Sequence, residues 1–253
     1  WGNAGTPFNT QTFSADYKIT GRGEKTEEVK NTLAIAGSLM LDQTMNGAFR
    51  SNYISTSLAY HKAITDNETI GLGLQGMYGN RVIDYSKLTF GEQFTSGGFD
   101  VTLPTGELAL SKIKPIFSLS AGLNYNHSDE LYNLDIGAAA FHINSPRQTF
   151  LNDPNEFLSP RYLVHCNAEI NLSGGKFLDF NGCYQQQATV DYFSLGGAIG
   201  VDVSGGEQNT ILFAGAWYRD GDSFYPFLSW RQQNVQLDRK STRLNSSHAN
   251  ISY

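Results

Sequence analysis

The sequence predicts an all-β protein, an antiparallel transmembrane β-barrel, and three observations predict it. Apolar and polar residues alternate with period two over most of the 253 residues, the signature of strands with one face apolar. The alternating runs are about as long as the 9–11 residues a tilted membrane strand needs, against about 5–6 for ordinary strands. Composition agrees: 17% of residues are charged, where about 25% is usual, and there are 26 Gly and 13% aromatics. Disorder needs high net charge and few aromatics. A net charge of −6 argues against a partner whose phosphates must be neutralised, so no nucleic acid is expected. No apolar run approaches the 18 or so residues of a spanning helix, which leaves membrane strands open.

Taken in order, the candidate strands begin with Leu33–Leu41. In Ile54–His61, Ile54, Thr56, Leu58 and Tyr60 share one face, and Ser55, Ser57, Ala59 and His61 the other. Glu68–Tyr78 follows, and Leu88–Phe94 is a further candidate. Phe117–Asn126 is the clearest: Phe117, Leu119, Ala121, Leu123 and Tyr125 oppose Ser118, Ser120, Gly122, Asn124 and Asn126. Tyr132–Ala140, Tyr162–Leu172, Phe177–Gln187, Tyr192–Val203, Ile211–Arg219 and Ser223–Arg231 complete the set. One face is apolar with tyrosines near its ends (Tyr60, Tyr78, Tyr125, Tyr132, Tyr162), and the other is small and polar. A soluble sandwich also alternates, but its wet face usually carries more charge. Apolar-out, polar-in strands with interfacial aromatics are the outer-membrane pattern.

Short turns are expected at Thr65–Asn67, His127–Asp129, Gly174-Gly175 and Gly205-Gly206, and long loops at Gly79–Pro115 and His142–Pro160. Five of the seven Pro fall in those two stretches, where no ladder donor is needed. Short periplasmic turns alternating with longer outer loops give the barrel an orientation. The domain expected is a partial barrel over 1–237. From Asp238 the chain reads DRKSTRLNSSHANISY, alternation stops, and the string resembles translated sequencing adapter. Residues 238–253 are therefore expected to be a non-native tail, and the chain to be truncated at both ends.

Catalytic and cofactor motifs are weak. Gly71, Gly73 and Gly76 match the letters of the dinucleotide fingerprint, but that loop must lead from a strand into a helix, and here it lies inside a strand pattern. No cofactor is expected. Asn152–Glu156 lacks calcium-loop spacing. A hairpin loop of three residues, Gly174 to Lys176, would place Leu172 opposite Leu178 and keep the faces pure. Cys166 then points outward and Cys183 inward, so they form no disulfide, and two lone thiols support no metal site. His165 and Glu169 lie four strand residues apart, about 13 Å, too far for a base and its orienting acid. The row Asn133, Asp135, His165, Asn167, Glu169 and Asn171 is the candidate lumen-facing site. It would either line a pore or peptide channel, or form a hydrogen-bonded plug; the sequence favours neither.

Four segments in order carry a resemblance: SNYISTSLAYHKAI (51–64), TIGLGLQGMYGNRVIDYSKLTF (69–90), AFHINSPRQTF (140–150) and FAGAWYRDGDSFYPF (213–227). Together they resemble the PorP/SprF family of type IX secretion outer-membrane proteins. The family's N-terminal N-P-A motif is missing, and its closing strands should follow Trp230, where the foreign-looking tail soon begins. The resemblance implies a barrel of 14 strands when complete, located in the cell outer membrane of Gram-negative bacteria and in contact with outer-membrane lipid. It implies a non-enzymatic role in protein secretion and gliding motility. The implied partners are a periplasmic peptidoglycan-binding lipoprotein, secretion-ring subunits and a secreted adhesin as cargo. No catalytic residues are carried over. The alternatives are an autonomous channel for small or apolar solutes, and a soluble β-barrel or sandwich.

Overall fold

The structure is a computed structural model that describes residues 9–20, 31–84, 87–88, 90–100, 102–104, 113–149, 155–204, 210–232 and 235–240. Its elements in chain order are β1 (Asn9–Thr20), β2 (Thr32–Thr44), β3 (Phe49–Ala63), β4 (Glu68–Ile83), the two-residue strands β5 (Phe94–Thr95) and β6 (Gly98–Phe99), then β7 (Ile116–Ser128), β8 (Tyr132–Phe141), β9 (Arg161–Leu172), β10 (Lys176–Gln187), β11 (Val190–Asp202), β12 (Thr210–Arg219), β13 (Ser223–Gln232) and β14 (Val235–Lys240). Apart from the small β5–β6 hairpin, they form one 12-stranded antiparallel sheet in sequential order, and β1 and β14 remain its two open edges. No described helix is long and apolar enough to cross a membrane. A 12-residue strand such as β9 is about 40 Å long. Tilted by about 45°, it spans about 28 Å, close to the hydrocarbon thickness of a bilayer.

The sheet is curled, and the two faces differ accordingly. Arg231 on β13 reaches Glu169 on β9, Nη1 to Oε2 at 2.7 Å. Four strand spacings on a flat sheet are about 19 Å, beyond the reach of two side chains, so this face is concave. Concave-face residues such as Ser51, Ser118, Ser194 and Phe213 are buried. Convex-face residues are splayed into the surroundings: Leu74, Leu123, Ile199 and Leu228 are 57–63% exposed. A long row of exposed aliphatic and aromatic side chains on a continuous sheet marks a lipid-facing surface. The expected tyrosines Tyr60, Tyr78, Tyr132 and Tyr162 lie on it, exposed.

The two long connections, between β4 and β7 and between β8 and β9, emerge at the same end of the sheet. The turns at 64–67, 129–131 and 173–175 emerge at the other. They are closed by hydrogen bonds such as Ile64 N to Glu68 O, 2.8 Å, and Asp129 N to Tyr132 O, 3.1 Å.

Local readings need correction in five places, the first being that β4 continues through Ile83, five residues into the stretch expected as a loop from Gly79. The segment around Leu88–Phe94 is no strand of the sheet: a 3-10 turn at Gly91–Gln93 leads into the small hairpin. His127 and Ser128 belong to β7, and the turn begins at Asp129. The β9–β10 loop is Ser173–Gly175 rather than Gly174–Lys176, so Leu178 faces Ile170 instead of Leu172. A slip of two residues preserves the faces. It arises because Gly174 and Gly175 both adopt positive φ (78° and 69°), which a Gly-Gly pair accepts at little cost. Finally, β1 is a strand that the expected set, beginning at Leu33, does not include. Its residues Phe13, Ala15, Tyr17 and Ile19 alternate cleanly with Ser14, Asp16 and Lys18.

β14 pairs Leu237 with Trp230 and continues through Lys240 opposite Phe227, three residues into the segment expected as a tail. Gly205-Gly206, most of Asn152–Glu156 and residues 241–253 lie outside the described residues.

Candidate functional site

The concave wall divides into two parts of different chemistry. Across β2 to β10 it is polar and hydrogen-bonded to itself. Ser38 and Ser55 hydroxyls meet at 2.7 Å, and Gln75 donates to Ser57 at 3.1 Å. Farther along, Asp135 on β8 is the hub. Asn124 on β7 donates to its Oδ2 at 2.8 Å. On β9, His165 Nε2 lies 2.9 Å from its Oδ1, and Asn167 donates to the same oxygen at 3.4 Å. Asn181 on β10 donates to Asn167 Oδ1. One chain of polar contacts thus crosses four strands.

The six residues singled out in the sequence separate into three groups. Asp135, His165 and Asn167 join this network. Glu169 pairs with Arg231 instead, beside Asp179 directly across the β9–β10 ladder. Asn133 and Asn171 serve the β7–β8 turn: Asn133 accepts from Ser128 Oγ at 2.5 Å, and Asn171 donates to the Glu130 carbonyl at 2.7 Å. Asn124 and Asn181 complete the network unforeseen as site residues. Their position on the polar face of β7 and β10 was the available signal.

His165 and Cys183 are cross-strand partners on the concave face, while Cys166 pairs with Gly182 on the other face, and both thiols are free. A cysteine, a histidine and an aspartate in succession suggest a nucleophilic triad. The geometry refuses it. The His165 ring lies over Gly137 on β8, where any Cβ would collide with it, and so leans away from Cys183 toward Asp135. Among the described residues, no group of three His, Cys, Asp or Glu could hold a metal.

Gly71 explains the false nucleotide motif. It sits opposite His61, and a Cβ there would come within 2.8 Å of the imidazole. Gly196 likewise lies under Trp217. These glycines are seats for cross-strand rings, a packing device in curved sheets.

The wall of β10 to β13 overturns the expectation that the second face is small and polar throughout. Ile211, Phe213, Trp217, Tyr225 and Phe227 point to the concave side and form a buried cluster with Phe177 at its border. Trp217 and Phe227 meet edge to face with centroids 4.4 Å apart, the preferred aromatic geometry. Arg231 lies 4.8 Å over Phe213 while held by Glu169. Strands β12 and β13 are therefore apolar on both faces, as strands buried on both sides are.

At the turn end, His127 stacks on Tyr132 with centroids 4.6 Å apart and hydrogen-bonds Asp129 at 3.0 Å. This bond, with the Tyr132 and Leu131 backbone amides, holds the Asp129 carboxyl below its ordinary range.

Comparison with curated proteins returns no significant match. The family model described as type IX secretion system membrane protein PorP/SprF matches residues 1–238, and the chain belongs to that family.

Proposed function

We propose that the chain works in the outer membrane as a non-enzymatic barrel component of type IX secretion, acting through protein contacts. The observation that carries this reading is the inverted sheet of a secretion-system membrane family: apolar side chains on the convex face, polar and aromatic ones on the concave face. In this reading the row Asn133, Asp135, His165, Asn167, Glu169 and Asn171 faces the barrel interior. The short turns meet a periplasmic peptidoglycan-binding lipoprotein and ring subunits, and the long-loop end meets secreted cargo such as an adhesin. The wall's hydrogen bonds and the Phe213–Trp217–Phe227 cluster favour a filled interior over the alternative, an autonomous channel for small or apolar solutes.

The test is affinity capture from native outer membranes with the tagged protein, paired with a deletion strain. Recovery of lipoprotein and ring subunits, with loss of secreted cargo at normal solute uptake, is expected. Recovery of the barrel alone, with impaired solute uptake, would replace this reading by the channel.

A further inference from the structure

Arginines gather at the long-loop end, and three of them have no carboxylate partner among the described residues. Arg81 lies among the last residues of β4 on the concave face, donating through Nε to the Tyr53 hydroxyl at 2.8 Å. Arg161 opens β9, its guanidinium 4.3 Å over the ring of Phe141 on β8. Arg147, in the long loop between them, lies 5.7 Å over Phe157. The loop ties the group together. Gln148, with its amide oxygen turned toward β4, accepts from Arg81 Nη2 at 3.2 Å, and Arg147 and Phe157 bridge the loop's two arms.

Neighbouring cations are already satisfied. Arg50 and Lys87 share Asp84, and Arg219 holds Asp222 at 2.8 Å. Glu156 sits in the same loop but pairs with none of the three. The Arg161 Nε is buried without a hydrogen-bond acceptor, a costly state for a charged donor. Its field also reaches His142, whose pKa is depressed by burial first and by Arg161 second.

We propose that Arg81, Arg147 and Arg161, with the rings of Tyr53, Phe141 and Phe157, form a binding site for a carboxylate-rich polypeptide segment. Guanidinium forks match carboxylates in two-point geometry. Three forks on separate elements, each backed by an aromatic face, fit an extended acidic chain better than one small anion. Arg81 and Arg161 lie on the concave face, whereas bilayer lipid would lie against the convex one, so a lipid phosphate is the poorer match. This proposal rests on the reading that the chain handles polypeptide. Its test reads direct binding by the purified chain, so it can fail while affinity capture from membranes succeeds, or the reverse.

The experiment is fluorescence anisotropy of a labelled hexaglutamate peptide against the full chain in detergent micelles, with hexalysine and inorganic phosphate as controls. Hexaglutamate should bind, hexalysine should not, and affinity should fall as salt rises. R161Q, R81Q and R147Q should each weaken binding about fivefold. K176Q, an exposed lysine at the opposite end of the sheet, should leave binding unchanged. Arg147 is an exposed loop residue, so R147Q reads binding without disturbing the sheet. Undiminished binding in the R81Q/R147Q/R161Q triple variant would overturn the proposal. So would full displacement of the peptide by millimolar phosphate, which would leave a simple anion site.

Discussion

The two parts of the concave wall solve one problem in opposite ways. Side chains on the inside of a curled sheet are crowded and only partly open to water, so most take a partner from the protein. Around Asp135 the partners are polar: Asn124, His165 and Asn167 converge on one carboxylate. Around Phe213 they are apolar: Trp217, Tyr225 and Phe227 exclude water, and Arg231, stacked on Phe213, is matched by Glu169. Both parts seat a ring on a cross-strand glycine, His165 over Gly137 and Trp217 over Gly196. The backbone device is shared, and only the side-chain chemistry differs. An aromatic cluster gains stability in proportion to buried area, whereas a polar network mostly avoids a penalty. The aromatic part should therefore dominate stability.

The largest effect should come from Trp217→Ala. Emptying the centre of the aromatic cluster should cost about 3–5 kcal/mol, read as a shift in urea unfolding from micelles. A loss below that of any change in the polar network would reverse the ranking. Next comes the lipid face common to both parts. Leu123→Arg on the convex side of β7 should cost about 2–4 kcal/mol near mid-membrane, measured by folding into lipid vesicles. A neutral outcome would place that face in water.

Asp135→Ala should cost less, about 1 kcal/mol, the low end for stranding hydrogen-bond partners. The carboxylate is one-third exposed, and water can serve Asn124 and His165 in its place. The Asp135→Asn variant should recover part of the loss, since an amide still accepts from Asn124.

The smallest effect is a pH response at the turn. The folded Asp129 carboxyl titrates below its ordinary value of 3.8. Its contribution is thus fully present above that value and lost as pH falls through the lowered one. Wild type should therefore be the more stable above about pH 4, and wild type and Asp129→Asn should converge as pH falls below it, read by acid unfolding. A difference persisting unchanged at lower pH would assign the effect to something other than this carboxylate.

Much of this was legible in the sequence, for reasons tied to particular residues. Phe117 to Asn126 alternate without a break, so β7 could be placed within two residues of its ends. The opposite orientations of Cys166 and Cys183 followed from face purity alone and survived a register shift of two. The network around Asp135 was half visible. Alternation says which residues share a face, but the His165–Asp135 contact depends on how β8 and β9 slide, and no local pattern encodes that. The aromatic wall was hidden for a related reason. In Ile211–Arg219 both alternating sets are apolar, and period two cannot say which set points inward. The curl revealed by the Arg231–Glu169 contact decides it.

The most direct measurement is the environment of single spin labels along β7, with Cys166→Ala and Cys183→Ser introduced first. Labels at Leu119, Ala121 and Leu123, folded into vesicles, should be accessible to oxygen dissolved in lipid and shielded from a water-soluble nickel reagent. Labels at Ser118, Ser120 and Asn124 should be shielded from lipid oxygen. Alternation of that phase is what a sheet with its convex side in the membrane requires. Equal nickel accessibility at Leu119, Ala121 and Leu123, or alternation of opposite phase, would contradict it.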